Sequence, residues 1–161
     1  MSKIDVAILM GSKTDAEVMR EAANILKEFG VAHEMKVLSA HRTPNETAAY
    51  AEKFRSKGGK VFICGAGVSA ALAGIVAAHT TLPVIGVPID SGPLNGFDAL
   101  LSTVQMPPGV PVAGVAIGKA GAKNAGLLAV RILSLSDESL AKKLQEFKEA
   151  QRQKILDTEL N

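Results

Sequence analysis

Apolar and polar positions follow two patterns along this chain, and their succession predicts its elements. Short, nearly unbroken apolar runs occupy residues 4–10, 60–64, 83–87 and 110–117, whereas residues 31–38 alternate. Unbroken runs are typical of strands buried on both faces, and alternation is typical of a strand with one solvated face, here near an edge. Apolar residues at helical spacing follow each strand. The pattern therefore predicts strands that alternate with helices.

Six helices are predicted from this spacing and from its stop signals. The first ends at Gly30, and the second begins with Thr43, Pro44 and Glu46, which match a capping box with proline at the first helical position. The third consists of small residues without a polar face, which predicts burial in the core and in a subunit interface. The first helix follows residues 11–15, the fifth follows residues 118–122 and reaches about residue 133, and the others span residues 44–57, 68–79, 97–104 and 137–160.

This order of elements predicts an α/β fold, a three-layer αβα sandwich around a parallel five-stranded sheet. We expect the flavodoxin-like strand order 2-1-3-4-5, which brings the loops at the carboxyl ends of the strands together in one ligand crevice. A single domain spans residues 1–161. Within it, residues 136–161 form a C-terminal helical arm that we expect to pack on a neighbouring subunit.

Composition narrows the function classes. The net charge of +2, without a basic block, argues against nucleic acid as a partner. The single Cys64 excludes an intrachain disulfide and a cysteine-based zinc site. The longest apolar stretch, residues 66–78, is too short to span a bilayer, and only Lys3 offers a charge before the first apolar run. We therefore expect a cytoplasmic protein with no membrane partner.

The turn after the second strand, Ser39-Ala40-His41-Arg42-Thr43-Pro44, carries the most informative chemistry. An imidazole that titrates near neutral pH stands beside a guanidinium, close to the start of a helix. This combination suits proton transfer on an anionic substrate. The alternative is a solvated His-Arg pair on a surface loop, which is the commoner case for any isolated pair.

A second candidate loop, Gly11-Ser12-Lys13-Thr14-Asp15, follows the first strand. Gly11 permits close approach of a ligand to the backbone, and Ser12 with the free N–H groups of the helix start can bind phosphate oxygens. Asp15 can accept a hydrogen bond from a sugar hydroxyl, cap the helix, or do both. The loop lacks the Walker pattern, which argues against a nucleotide triphosphatase.

Six motifs of this chain occur in the order and spacing of one protein family. They are Gly11–Asp15, Ser39–Pro44, Gly65–Gly67, Leu82–Pro88, Val104–Pro107 and Gly121–Ala125. The chain resembles the class I 5-(carboxyamino)imidazole ribonucleotide mutases of de novo purine synthesis over nearly its whole length. Class II relatives, aminoimidazole ribonucleotide carboxylases that use carbon dioxide directly, lack the Val104–Pro107 block and typically carry lysine at Arg42.

This resemblance implies an isomerase that moves a carboxylate from the exocyclic nitrogen to carbon 4 of an aminoimidazole ribonucleotide, with His41 as general acid and base. It implies a small-molecule ribonucleotide substrate, a homo-octamer, and neither a metal nor another cofactor. The substrate-binding residues that it implies are Gly11, Ser12, Thr14, Asp15, Ser39, Ala40, Arg42, Gly65, Ala66, Gly67 and Leu72.

The chain departs from the family pattern after the third strand. Ala71 stands where class I members have a pocket histidine, and Ala73 stands where they have proline. Two other functions remain as alternatives. One is a class II-like carboxylase; the other is a non-catalytic flavodoxin-like nucleotide-binding module, against which the absence of an acidic cluster and the low aromatic content argue.

Overall fold

The apolar runs of the sequence form the middle layer of the molecule. The computed structural model describes residues 4–159. Its sheet has five parallel strands in the order β2-β1-β3-β4-β5, which confirms the predicted architecture and topology. The strands are Val6–Met10 (β1), His33–Val37 (β2), Val61–Gly67 (β3), Val84–Ile89 (β4) and Ala113–Gly114 (β5).

Helices cover both faces of the sheet, which explains why its strands are apolar throughout. On β1, Val6, Ile8 and Met10 pack in one core cluster, and Ala7 and Leu9 pack in the other. The first and fifth helices cover one face, and the second and third cover the other. The fourth packs on β4 and β5. The helices are Ala16–Phe29 (α1), Pro44–Phe54 (α2), Leu72–Ala78 (α3), Phe97–Val104 (α4), Gly118–Ser134 (α5) and Glu138–Leu156 (α6).

The region after the third apolar run differs from its prediction. β3 continues to Gly67 because Gly65, Ala66 and Gly67 pair with β4, and α3 begins only at Leu72. Val68 breaks the strand, since its φ of 56° lies in the left-handed region. The prediction of a turn at 65–67 followed directly by a helix from Val68 was therefore wrong.

The last strand is also shorter than predicted. The apolar run 110–117 contributes only Ala113 and Gly114 to the ladder with β4. Pro111 lacks a backbone donor, and α5 begins at Gly118, so little of the run is free to pair. The edge position of this strand limits the cost of its short length.

The C-terminal helix packs on the chain itself over its first turns. Leu140 is buried, and the ring of Phe147 lies 5.6 Å from that of Phe29 on α1. Farther along, Ile155 and Leu156 are 74% and 62% exposed. Contact between this arm and a neighbouring subunit stays a prediction.

None of the helices in residues 4–159 has the length and apolar character needed to cross a membrane.

Candidate active site

The loops that follow β1, β2, β3 and β4 enclose a cavity of about 540 Å³ at the carboxyl edge of the sheet. This is the position that ligands occupy in folds with this strand order. Eleven of the twelve predicted site residues line it. The lining consists of Gly11, Ser12, Thr14, Asp15, Ser39, Ala40, His41, Arg42, Ala66, Gly67, Val68, Ser69, Ala71, Leu72 and Ser91.

Ser39 organises the turn that presents His41. Its N–H donates to the Thr43 hydroxyl at 2.9 Å, and its carbonyl accepts the hydroxyl of Thr43 at 3.1 Å and the N–H of Thr43 at 2.9 Å. Thr47, which is fully buried, donates its hydroxyl to the Thr43 carbonyl at 2.8 Å. The predicted capping box at Thr43 is wrong, because this side chain closes the preceding turn instead of capping α2.

Arg42 joins the His41 turn to the loop after β1. Its Nη2 donates to the Gly11 carbonyl at 2.9 Å, and its Nε donates to the Ser39 hydroxyl at 3.4 Å. The guanidinium thus spans two loops that are far apart in sequence. Its side chain remains exposed, so further N–H groups face the cavity and its solvent.

The loop after β1 forms a closed cap of its own. The Ser12 N–H donates to Asp15 Oδ2 at 2.9 Å, and the Ser12 hydroxyl accepts the Thr14 N–H at 3.3 Å and the Thr14 hydroxyl at 2.9 Å. These contacts make a capping box around a single 3₁₀ turn, Lys13–Asp15, ahead of α1. The expected cap of α1 by Asp15 is wrong, because its side chain makes no cap bond to that helix and accepts the Ser12 N–H of the 3₁₀ turn instead. Asp15 also lines the cavity.

Asp15 is a buried carboxyl group beside this cavity, with only 7% of its surface exposed. Burial raises its pKa above the usual 3.8, and the Ser12 N–H and the Arg42 charge oppose that rise. The carboxylate is thus held where desolvation strengthens any hydrogen bond that it accepts from a ligand.

Gly65 is the predicted site residue that the structure leaves outside the cavity lining. Its carbonyl accepts the Gly11 N–H at 3.2 Å, and a methyl group at this position would overlap the sulfur of Met19. Gly65 therefore supports the floor beneath the cavity by letting β3 approach α1.

Sequence reasoning did not select Val68, Ser69 or Ser91 as site residues, although all three line the cavity. Ala71 also lines it, at the position where the family resemblance places a pocket histidine, but it was not named as a site residue. Val68 and Ser69 lie directly after the selected Gly-Ala-Gly motif, and proximity along the chain was their available signal. Ser91 follows β4, and no motif marked it.

Other reactive side chains lie elsewhere. His33 contacts the Val31 carbonyl at 2.9 Å and His79 contacts Glu52 at 3.0 Å, both outside the cavity, while burial raises the pKa of the Cys64 thiol. Between residues 4 and 159, no group of three or more His, Cys, Asp or Glu side chains is placed to hold a metal ion.

Comparison with known proteins identifies relatives of this chain. The family model described as AIR carboxylase matches residues 5–154. A Bacillus subtilis protein named N5-carboxyaminoimidazole ribonucleotide mutase is 58% identical over 95% of this chain and 94% of its own. A Saccharolobus solfataricus protein of the same name is 57% identical over 96% of this chain and 97% of its own.

Solved structures agree in fold as well. The crystal structure of Treponema denticola PurE superposes with a TM-score of 0.86 at 34% identity, covering 94% of each chain. Because the family model and these relatives match nearly the whole chain, the protein belongs to the AIR carboxylase family.

Proposed function

We propose that this protein is a mutase of purine biosynthesis that converts 5-(carboxyamino)imidazole ribonucleotide to 4-carboxy-5-aminoimidazole ribonucleotide. The observation that carries the proposal is the full-length similarity, at 49–58% identity, to relatives named for this activity. The cavity supports it, because one titratable imidazole and one guanidinium share a small enclosure with several hydroxyl groups.

The reaction needs two proton movements and no net change in protons. The bond between the exocyclic nitrogen and the carboxyl carbon breaks, its electron pair remains on nitrogen, and nitrogen takes up a proton. Carbon 4 of the ring then attacks the carbon dioxide that is released, and it loses its own proton. A single group that donates the first proton and accepts the second satisfies this balance.

His41 is the residue we assign to that role. Imidazole exchanges protons near neutral pH, and His41 is the histidine that lines the cavity. Its turn is fixed by the Ser39 and Thr43 hydrogen bonds, which limits the motion of the backbone that carries the ring. Orientation of this kind reduces the entropic part of a reaction barrier.

Arg42, Ser12 and Asp15 form the end of the cavity that we assign to the ribose phosphate. Arg42 carries the cationic fork that suits phosphate oxygens, and Ser12 lies at the start of the turn that leads into α1. The Asp15 carboxylate suits a sugar hydroxyl. The other predicted residues that line the cavity contribute the hydroxyl groups of Thr14 and Ser39 and, beyond these, backbone or apolar groups.

A carboxylase that uses carbon dioxide directly is the second candidate, and the description of the matching family model, AIR carboxylase, favours it. Arg42 and the Val104–Pro107 block favour the mutase, because by resemblance the direct carboxylases carry lysine at the first position and lack the second.

A coupled assay separates the two reactions. The purified protein is given the carboxyamino substrate in one arm, and aminoimidazole ribonucleotide with bicarbonate in the other. A mutase converts the carboxyamino substrate at a rate that does not depend on added bicarbonate. Turnover that requires only the second pair would replace the proposal with the carboxylase.

We further propose that the enzyme is a homo-octamer of the cytoplasm. The octamer is implied by the family resemblance, and an apolar stripe on and before α4 supports extensive self-association. Leu94, Phe97, Leu101 and Val104 are 57%, 59%, 43% and 46% exposed along this stripe. A contiguous patch of this kind is typical of a protein interface. A phosphorylated substrate and a free buried Cys64 are consistent with the cytoplasm.

A further inference from the structure

Ser91 is a cavity residue without a role in the reaction described above. It lies in the loop after β4, whereas the His41 turn follows β2. Since β1 and β3 lie between these two strands, Ser91 and His41 line opposite sides of the cavity. The Ser91 hydroxyl forms no hydrogen bond within residues 4–159. A half-buried hydroxyl that faces a cavity in this way is free to bind a ligand.

The loops after β3 and β4 pack closely at Ser91. The Ser91 side chain sits on Gly67, where a methyl group would overlap its hydroxyl. In the reverse direction, Val68 Cγ2 lies 3.5 Å from the place that a methyl group on Gly92 would take. The Ser91 N–H also donates to the Ile89 carbonyl at 2.9 Å. Each loop therefore presents a side chain to a glycine of the other, and the backbone of Ser91 is anchored beside the cavity.

The chemistry of the cavity differs between its two ends. The end formed by the loops after β1 and β2 contains Arg42 and Asp15, the charged side chains of the lining apart from titratable His41. The wall formed by the loops after β3 and β4 contains Ala66, Val68, Ala71 and Leu72, and its polar side chains are those of Ser69 and Ser91. Ser69 is exposed, whereas Ser91 is half-buried and seated on Gly67.

We infer that Ser91 is a substrate-binding residue that donates its hydroxyl hydrogen to the migrating carboxylate. The inference rests on the proposed function, whose substrate carries a phosphate and a carboxylate. With the phosphate at the Arg42 end, we place the carboxylate at the wall where Ser91 supplies a half-buried donor. A hydroxyl group is neutral throughout the reaction. It can therefore donate to the carboxylate both when this is on the exocyclic nitrogen and when it is on carbon 4.

Equilibrium binding of two ribonucleotides tests this role. Titration calorimetry compares 4-carboxy-5-aminoimidazole ribonucleotide with aminoimidazole ribonucleotide, which lacks the carboxylate. Ser91→Ala is expected to weaken binding of the first by about tenfold to a hundredfold, the usual range for loss of a hydrogen bond to a charged group, and to leave the second unchanged. Ser91→Thr keeps a hydroxyl and should keep the preference for the carboxylated nucleotide.

Ser56→Ala is the matched control, because Ser56 is an exposed serine at the end of α2, away from the cavity. Equal losses for both nucleotides, or no loss for the carboxylated one, would overturn the assignment of Ser91. Failure of the wild-type protein to turn over the carboxyamino substrate would overturn the proposed function instead. The two failures are therefore read from different measurements.

Discussion

At the scale of single residues, the proposed role of His41 as acid and base can be tested by a replacement that separates catalysis from folding. His41→Asn keeps a polar side chain in the turn but cannot exchange a proton near neutral pH. We expect kcat to fall by about two to four orders of magnitude, the usual contribution of general acid–base catalysis. Steady-state turnover of the carboxyamino substrate is the measurement.

His79→Asn serves as the control, since His79 contacts Glu52 away from the cavity. Thermal unfolding of both variants checks that they remain folded. A folded His41→Asn enzyme with nearly wild-type turnover would exclude His41 as the acid and base.

Arg42 joins two loops of the cavity and, in the proposed site, also binds the phosphate. Lysine keeps its charge but cannot donate to the Gly11 carbonyl and the Ser39 hydroxyl while it also engages phosphate. Arg42→Lys should therefore weaken the binding of aminoimidazole ribonucleotide by about tenfold or more. Calorimetric titration measures this, with the exposed Arg20→Lys on α1 as the control. Unchanged affinity would remove Arg42 from the phosphate site.

Asp15 is expected to make stability depend on pH. Its pKa in the folded protein is raised above 3.8, mainly by burial, so ionisation costs more in the folded than in the unfolded state. Its contribution to stability therefore falls as pH rises from about 3.8 through the folded-state pKa. Asp15→Asn can keep the hydrogen bond from Ser12 and removes this ionisation.

Urea unfolding at pH 4 and at pH 7 tests the sign. The free energy of unfolding of Asp15→Asn minus that of wild type should be larger at pH 7 than at pH 4, so that the variant is relatively more stable at pH 7. The opposite order would show that the Ser12 and Arg42 contacts outweigh burial at this carboxylate.

At the scale of elements, the loops after β3 and β4 depend on each other through Gly67 and Ser91. Gly67→Ala introduces a methyl group that overlaps the Ser91 hydroxyl, and it should destabilise the protein by about 1–3 kcal/mol, as overpacking usually does. In the Ser91→Gly background the nearest contact is the Ile89 carbonyl at 3.3 Å, so most of this loss should disappear.

A double-mutant cycle measured by urea unfolding gives the coupling between these positions. The Gly126→Ala change, in which a methyl group would meet the Ala22 carbonyl at 2.9 Å, is a control that Ser91→Gly should not relieve. Additive effects at positions 67 and 91 would contradict the interlocked loops.

At the scale of the whole molecule, the apolar stripe on α4 predicts the mode of assembly. Phe97 is 59% exposed near the start of α4, and lysine at this position would place a charge in the proposed interface. Phe97→Lys should shift the mass distribution from the octamer to smaller species and reduce turnover on dilution. Light scattering at the assay concentration measures this.

Ser102→Lys provides the control, since Ser102 is an exposed polar residue of the same helix outside the stripe. A Phe97→Lys protein of unchanged mass would exclude the α4 stripe from the interface. A wild-type protein that is a fully active monomer would contradict the octamer as a whole.

The sequence alone was sufficient for the architecture and for the turn that carries His41. Runs such as Val6–Met10 are buried on both faces because helices cover both sides of the sheet, and Gly30 ends α1 with a φ of 75°. These features are local, because the period of side-chain burial and the φ of one residue depend on few neighbours. Family resemblance then supplied the site residues that motifs mark.

Only the tertiary structure decided which distant residues meet. Arg42 donates to the Gly11 carbonyl, β3 extends to Gly67 because β4 pairs with it, and Ser91 reaches the cavity from an unmarked loop. Each of these contacts joins groups that are far apart along the chain. Local propensity does not contain that information, because it arises from packing across strands and between loops.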